Sequence, residues 1–142
     1  MEQLRGVPTQ YEVKRNNRWE FVFPEEFGIK SWLCQTVNLP NFILGEKSEK
    51  TLDYIKLRLI NPITIPTDII LFNNFINENK YNFECRLYLL DPVGERVTKW
   101  TLLIKEVSQI NFGNLNYGDD SLNEIEMVLT VDKATITNVF SV

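Results

Sequence analysis

The feature that most restricts the fold of this chain is a repeated alternation of apolar and polar residues with a period of two. Its clearest example runs from Leu122 to Asp132, where every second residue from Ile125 to Val131 is apolar. Polar or acidic residues stand between them at Glu124, Glu126, Thr130 and Asp132. Because successive side chains of a strand point to opposite sides, this segment is predicted to be a strand with one buried and one solvated face.

The same alternation predicts further strands, each bounded by turn residues such as proline, glycine or asparagine. They cover residues 19–24, 31–38, 51–60, 81–90 and 96–105, and residues 107–112 form an additional short strand before the last one. The sequence Asp-Pro-Val-Gly-Glu at 91–95 is a tight-turn signal, which joins its two flanking strands into a hairpin.

One segment, residues 66–77, has the spacing of a helix, and Thr67 or Asp68 is expected to cap its first turn. Its apolar stripe consists of Ile69, Phe72, Phe75 and Ile76. Because isoleucine and asparagine are weak helix formers, this stripe is expected to pack on a sheet. One helix and six to seven antiparallel strands predict a mainly β (α+β) fold, a β-sandwich or barrel with a flanking α-helix.

The length of 142 residues predicts a single domain spanning residues 1–142. Within it we expect an N-terminal arm at 1–14, an extended charged loop at 41–51 and a C-terminal segment at 133–142 that is too apolar to be a free end. The first residues lack the apolar core of a signal peptide, and no apolar run approaches the ~20 residues of a membrane span. We therefore expect cytoplasmic synthesis without membrane insertion.

Composition argues against an enzyme. The chain has no histidine, which excludes Ser-His-Asp and Cys-His catalysis and any histidine-based zinc site. Cys34 and Cys85 lie in alternating stretches and are expected to be small buried hydrophobes that stay reduced. No glycine-rich phosphate motif is present. We predict no catalytic, cofactor-binding or metal site, and therefore no cofactor.

The acidic charge also restricts the partners. The formal net charge is −4, so a basic surface that binds nucleic acid is not expected. Several strands nevertheless carry one richly polar face. Such a face suits either the outside of a small barrel or the wall of a water-filled lumen, where acidic groups repel a polyanion and let it slide.

The order of these motifs resembles the major tail tube proteins of contractile-tailed bacteriophages. Type VI secretion tubes and extracellular contractile injection systems share that architecture. The segments that carry the resemblance are the strand at 17–24, the strand ending in Leu-Pro at 33–40, the strand closed by Asn61-Pro62, the apolar helix, the hairpin at 89–100, the stretch 110–117 and the acidic strand at 124–132. Together they extend over about residues 17 to 136.

The resemblance implies a structural subunit of a virion tail that is assembled in the host cytoplasm. Its hexameric rings would stack into a hollow tube, and DNA would pass through the lumen during ejection without specific binding. The implied partners are further copies of the chain and the sheath, baseplate and terminator proteins. A tube-like initiator or terminator of the tail or baseplate, and a monomeric β-rich binding module, are the alternatives.

The resemblance also implies roles for two sets of residues. The 41–51 loop would reach the adjacent ring, where four charged side chains would form ion pairs: Glu46, Lys47, Glu49 and Lys50. A polar strand face would line the lumen or join neighbouring subunits through Glu84, Arg86, Glu124, Glu126 and Asp132.

Overall fold

The computed structural model of the chain describes Gly6, residues 12–45 and residues 50–139, with the backbone alone for Lys50 and Thr51. Eight strands lie in this part of the chain: β1 Trp19–Val22, β2 Cys34–Val37, β3 Phe42–Leu44, β4 Lys50–Leu52, β5 Ile55–Ile60, β6 Phe83–Leu90, β7 Arg96–Asn111 and β8 Glu124–Asn138. Helix α1, Thr67–Leu71, continues directly as a π-helical turn, Phe72–Asn77. Two 3₁₀ turns occupy Glu25–Phe27 and Ser31–Leu33.

Six of the strands form one antiparallel sheet in the order β1-β6-β7-β8-β5-β2, and β3 and β4 form a separate hairpin. The edge strands β1 and β2 lie close to each other, so the sheet curls into a nearly closed barrel. This architecture confirms the predicted antiparallel β-barrel with one helix.

The barrel interior is filled by the apolar side of the alternating pattern. Leu57 of β5 lies opposite Met127 of β8, and both side chains are fully buried. Arg58 and Glu126, the next residues along, point to the outer side of the sheet and are exposed or half-buried. The predicted assignment of strand faces is therefore confirmed in both strands.

The predicted breaks between strands are wrong at β7 and β8. Residues 96–111 form one strand instead of two, and the last strand continues beyond Asp132 to Asn138. The pairing shifts register between Leu103 and Ile104 and again further along β7. A β-bulge adds one extra residue to a strand without ending it. The disturbed alternation of apolar and polar residues in β7 and β8 is therefore caused by bulges and not by strand ends.

Two other predicted strands are shorter than expected. The 31–38 strand begins at Cys34, because residues 31–33 form a 3₁₀ turn. The 51–60 strand is interrupted between β4 and β5. There the Asn38 side chain donates to the Tyr54 carbonyl (3.1 Å) and accepts from the Lys56 N–H (2.6 Å). These bonds hold a corner that sets the β3–β4 hairpin apart from the main sheet.

Helix α1 packs with a different face from the predicted one. The buried residues of α1 and its π-helical turn are Thr67, Leu71, Asn74 and Phe75, whereas Ile69, Phe72 and Ile76 are about half exposed. Only Phe75 of the predicted stripe lies in the core. Thr67 does not cap the helix; its hydroxyl donates to the Ile60 carbonyl, and the Asn61 side chain accepts from the Asp68 N–H. These bonds fix the helix on the end of β5, and the wider π turn changes the spacing of later side chains.

Asn74 is the polar centre of this helix packing. Its amide donates to the carbonyls of Phe27 (2.8 Å) and Ile70 (3.0 Å), and its oxygen accepts from Lys80 Nζ (2.6 Å). The Lys80 ammonium also lies 4.6 Å from the centre of the Phe27 ring. The Asn74 side chain therefore ties the helix to the turn after β1.

We expect Asn74→Leu to lower the free energy of unfolding by about 1–3 kcal/mol, because it leaves a buried carbonyl without its donor and Lys80 without its acceptor. The matched control is Asn77→Leu, at an exposed position of the same turn, where we expect a change within about 0.5 kcal/mol. Urea denaturation measures both. Equal effects of the two substitutions would contradict a structural role for Asn74.

Candidate assembly surfaces

The outer side of the six-stranded sheet, which we call the polar sheet face, carries most of the predicted polar residues. Arg86 and Glu84 of β6 form an ion pair of 2.9 Å, and hydrogen bonds to Glu84 and Tyr88 raise the pKa of Arg86. Arg58 and Glu126 pair at 3.8 Å across β5 and β8. Such half-exposed pairs add little to stability. They leave the face with charges of both signs in alternation.

The predicted polar residues do not form one cluster. Glu84 and Arg86 lie on β6, and β7 separates them from β8. Glu124 and Glu126 lie at the far end of β8, beside Ile60 and Arg58 of β5. Asp132 sits at the bulge where the β7–β8 register shifts, and its side chain is exposed.

A contact that the sequence did not indicate orders one corner of the polar sheet face. The Arg96 guanidinium lies 3.9 Å from the centre of the Tyr88 ring, and its Nε donates to Glu20 Oε1 at 2.6 Å. Tyr88 is consequently buried although it points away from the core. Tyr88 and Arg96 lie on the two arms of the β6–β7 hairpin, but Glu20 is far from both in the chain and reaches them only through the pairing of β1 with β6, so no local pattern could reveal this contact.

The long strands β7 and β8 extend beyond their neighbours at opposite ends. β5 pairs with β8 only as far as Leu129, and β6 pairs with β7 only as far as Ile104. In the part of the chain that the structure describes, no strand of the sheet pairs with the outer edge of β8 from Thr130 to Thr137, although β4 of the separate hairpin lies close to β8. The same holds for the β6 side of β7 at residues 106–111. We call these two edges, which lack a hydrogen-bonded strand partner within the sheet, the free edges of β7 and β8.

Of the four predicted inter-ring residues, the structure describes only the backbone of Lys50. Glu46, Lys47 and Glu49 are outside the described residues, and Lys50 begins β4. The Phe42 ring stacks on Trp100 with a centroid distance of 6.4 Å. The hairpin therefore leaves the barrel at the end where β7 begins.

The two ends of the barrel carry apolar features that sequence reasoning missed. At the end where β7 begins, a groove of about 730 Å³ is lined by polar and charged residues together with five apolar ones: Val13, Leu90, Pro92, Val97 and Ile136. At the opposite end, the loop joining β7 to β8 exposes Leu115, Tyr117 and Leu122. The only signal in the sequence was the presence of large apolar residues inside a loop rich in asparagine and glycine.

The two cysteines are buried free thiols. Burial raises the pKa of Cys34 to about 12 and also raises the pKa of Cys85. Because the thiolate is the nucleophile, both thiols are chemically inert in the folded protein. Among the residues described, no group of three or more histidine, cysteine, aspartate or glutamate side chains could hold a metal ion.

We expect neither thiol of the folded protein to react with a maleimide at pH 8 within the time that a surface thiol needs to react completely. In denaturant both should react, because the unfolded thiols regain their ordinary pKa and access to the reagent. Mass spectrometry counts the added groups. Rapid labelling of either cysteine in the folded state would contradict their burial.

No helix within the described ranges is long and apolar enough to cross a membrane.

Comparison with solved structures identifies proteins of the same fold. A chain of the anti-feeding prophage cap, described as the tube-terminating cap, matches 94% of this chain and 95% of its own length, with a TM-score of 0.67 and 12% identity. A second match is a chain of the sheath–tube complex of the extracellular contractile injection system PVC. The match covers 92% of this chain and 95% of the PVC chain, with a TM-score of 0.64 and 12% identity. A third match is a chain of the six-fold symmetrised anti-feeding prophage baseplate. The match covers 91% of this chain and 98% of the baseplate chain, with a TM-score of 0.58 and 14% identity.

No protein-family model matches the sequence, and no curated protein matches it at the sequence level. At 12–14% identity the shared feature is the fold. The chain thus has the architecture found in tube, cap and baseplate components of contractile injection systems, over nearly the full length of both partners.

Proposed function

We propose that this chain is a structural, non-enzymatic subunit of a phage-tail-like tube, in which hexameric rings stack into a hollow conduit. The observation that carries the proposal is the shared fold over more than nine-tenths of this chain and of each similar chain, all of which come from contractile injection particles. Its partners would be further copies of itself and the sheath, baseplate and terminator proteins of a tail assembled in the host cytoplasm.

The two free strand edges provide the ring contact. β7 and β8 are antiparallel within the chain. A neighbour that is related by rotation about a ring axis keeps its strand direction along that axis, so its β7 would run antiparallel to the outer edge of β8 of this copy. Because the two free edges lie at opposite ends of the sheet, they would meet when the strands are tilted relative to the ring axis. Two different edges that join head to tail make a heterologous interface, which closes into a ring when the rotation permits. Pairing also removes the aggregation hazard of an exposed edge.

The polar sheet face is the side of the sheet that would line the lumen, because the other side is filled by the core. Its glutamates are partly balanced by neighbouring arginines, as at Arg58–Glu126 and Arg86–Glu84. A wall that mixes acidic and basic side chains would hold a phosphate backbone less firmly than a uniformly basic surface. DNA could therefore pass during ejection without specific binding.

The 41–51 segment, which includes β3 and the start of β4, would reach the adjacent ring, where Glu46, Lys47, Glu49 and Lys50 would form ion pairs. A second role is suggested by two similar chains, of which one comes from the structure of a tube-terminating cap and the other from the structure of a sheath–tube terminator. In that role the chain would form a ring that ends the tube instead of repeating along it.

The test is negative-stain electron microscopy of the purified chain over a concentration series, with sedimentation velocity on the same samples. We expect rings at high concentration, and stacked hollow tubes if the chain is the repeated subunit. Single rings that never stack would favour the terminator role. A monomer at every concentration would contradict both.

A further inference from the structure

The groove at one end of the barrel and the apolar loop at the other end have complementary properties. The groove lies where β7 begins and β8 ends, between residues 12–14, the β6–β7 turn and Ile136. The loop, residues 112–123, follows the other end of β7. β7 has 16 residues, so at ~3.3 Å per residue the two features are roughly 50 Å apart. One copy therefore cannot place its own loop in its own groove.

The loop is held in a fixed shape that exposes its apolar side chains. The Asn111 side chain accepts from the Gly113 N–H, and the Asn116 side chain accepts from the Gly118 N–H, both at 2.9 Å. Gly113 has a φ of 90°, and a Cβ there would lie 3.3 Å from the Glu124 carbonyl oxygen. Between these turns Leu115 is 92% exposed and Tyr117 is fully exposed. Exposed large apolar residues in one place indicate an interaction surface.

The charged residues of the loop and of the groove also complement each other. The loop contains Asp119 and Asp120 and no basic residue. The groove is lined by Lys14 and Arg18 as well as by Glu12 and Asp91. Asp91 is already engaged, since its carboxylate accepts from the backbone N–H groups of the following turn. The Asp91 carboxylate is therefore directed into its own turn, and the rim presents Lys14 and Arg18 beside the single carboxylate of Glu12, so that the two cations can face an acidic partner.

We propose that the groove receives the 112–123 loop of a second copy of this chain in the next ring, with Tyr117 and Leu115 in the apolar groove and Asp120 near Lys14. This inference rests on the proposed tube function and names its stacking contact. A contact between opposite ends of identical subunits is head to tail, so it extends into a stack. Each contact is small, but a ring repeats it for every subunit, and the joined contacts strengthen one another.

The first experiment uses a double variant, Leu115→Ser with Tyr117→Ser, compared with Ile69→Ser with Phe72→Ser on the exposed helix face. We expect the loop variant to form rings and to shorten tubes at least tenfold, whereas the helix variant keeps the wild-type tube length. Charge-reversal variants test the proposed ion pair directly. Lys14→Glu and Asp120→Lys should each shorten the tubes, and the double variant should recover the wild-type tube length.

Crosslinking then places the two surfaces together. Tyr117→Cys combined with Val13→Cys should give a ladder of disulfide-linked multimers under a mild oxidant, because the native thiols are buried. Tyr117→Cys combined with Ile69→Cys is the control and should give no ladder. Normal tubes from the loop variant, with no ladder from the Val13 pair, would overturn this contact and leave the tube proposal intact. Rings of the wild type that never stack would also overturn it, and absence of rings would overturn both proposals.

The chain's own C-terminus is the competing occupant of the groove. If Val13→Cys combined with Val142→Cys forms a disulfide within one chain and blocks the intermolecular ladder, the groove belongs to that segment and the stacking contact is wrong.

Discussion

Leu129→Ala should lower the free energy of unfolding by about 2–5 kcal/mol, which is a large part of the stability of a domain of this size. Leu129 is 0% exposed and lies opposite Ile55 in the centre of the barrel. Truncation removes favourable burial and leaves a cavity that β8 cannot close, because β8 stays paired with β7 on both sides of Leu129. Denaturant unfolding followed by tryptophan fluorescence measures the effect.

Leu122→Ala is the matched control, since the same change is made at a residue that is 76% exposed. We expect it to change the free energy of unfolding by less than about 0.5 kcal/mol. A near-zero effect of Leu129→Ala would mean that the inward face of β8 does not form the core.

Ala134→Pro should abolish ring formation and leave the monomer folded. The Val139 N–H donates to Val97 on β7, so by alternation the N–H of Ala134 points away from β7 to the free edge. Proline removes this donor and crowds the edge, and proline is tolerated at strand edges. One net hydrogen bond contributes about 0.5–1.5 kcal/mol, and a closed ring loses it at every interface. Sedimentation velocity should show the ring population fall by more than tenfold.

Two control variants distinguish a loss of the ring contact from a loss of the folded monomer. Ala134→Ser keeps the N–H and should assemble normally. Thr135→Pro removes an N–H that points toward β7, so it should destabilise the monomer itself. Normal rings from Ala134→Pro would mean that the outer edge of β8 is not the ring interface, although rings could still form through another surface.

The strand faces could be predicted from sequence because a strand exposes successive residues to opposite environments. This rule identified the inward residues of β5 and β8 without knowledge of their partners. It failed at the bulges of β7, because a bulge breaks the alternation without ending the strand. It failed for α1 as well, since Ile69, Phe72 and Ile76 have helical spacing but Thr67 and Asn74 hold the opposite side against the barrel.

The candidate surfaces were less predictable than the core. The charged residues of the polar sheet face were recognised as a polar side, but their distribution over β6 and the far end of β8 depended on strand order. The free edges of β7 and β8 and the apolar groove were not foreseen. Each depends on where neighbouring strands end relative to one another, which is a property of the assembled sheet.

The sequence by itself determined the fold class, the buried faces of the main strands and the absence of histidine chemistry, because these follow from local periodicity and composition. The tertiary structure alone decided the register of β7 and β8, the orientation of α1 and the pairing of Arg96 with Glu20 and Tyr88. These features arise from contacts between residues that are far apart in the chain. Their energies depend on the position of every intervening element, so no local pattern encodes them.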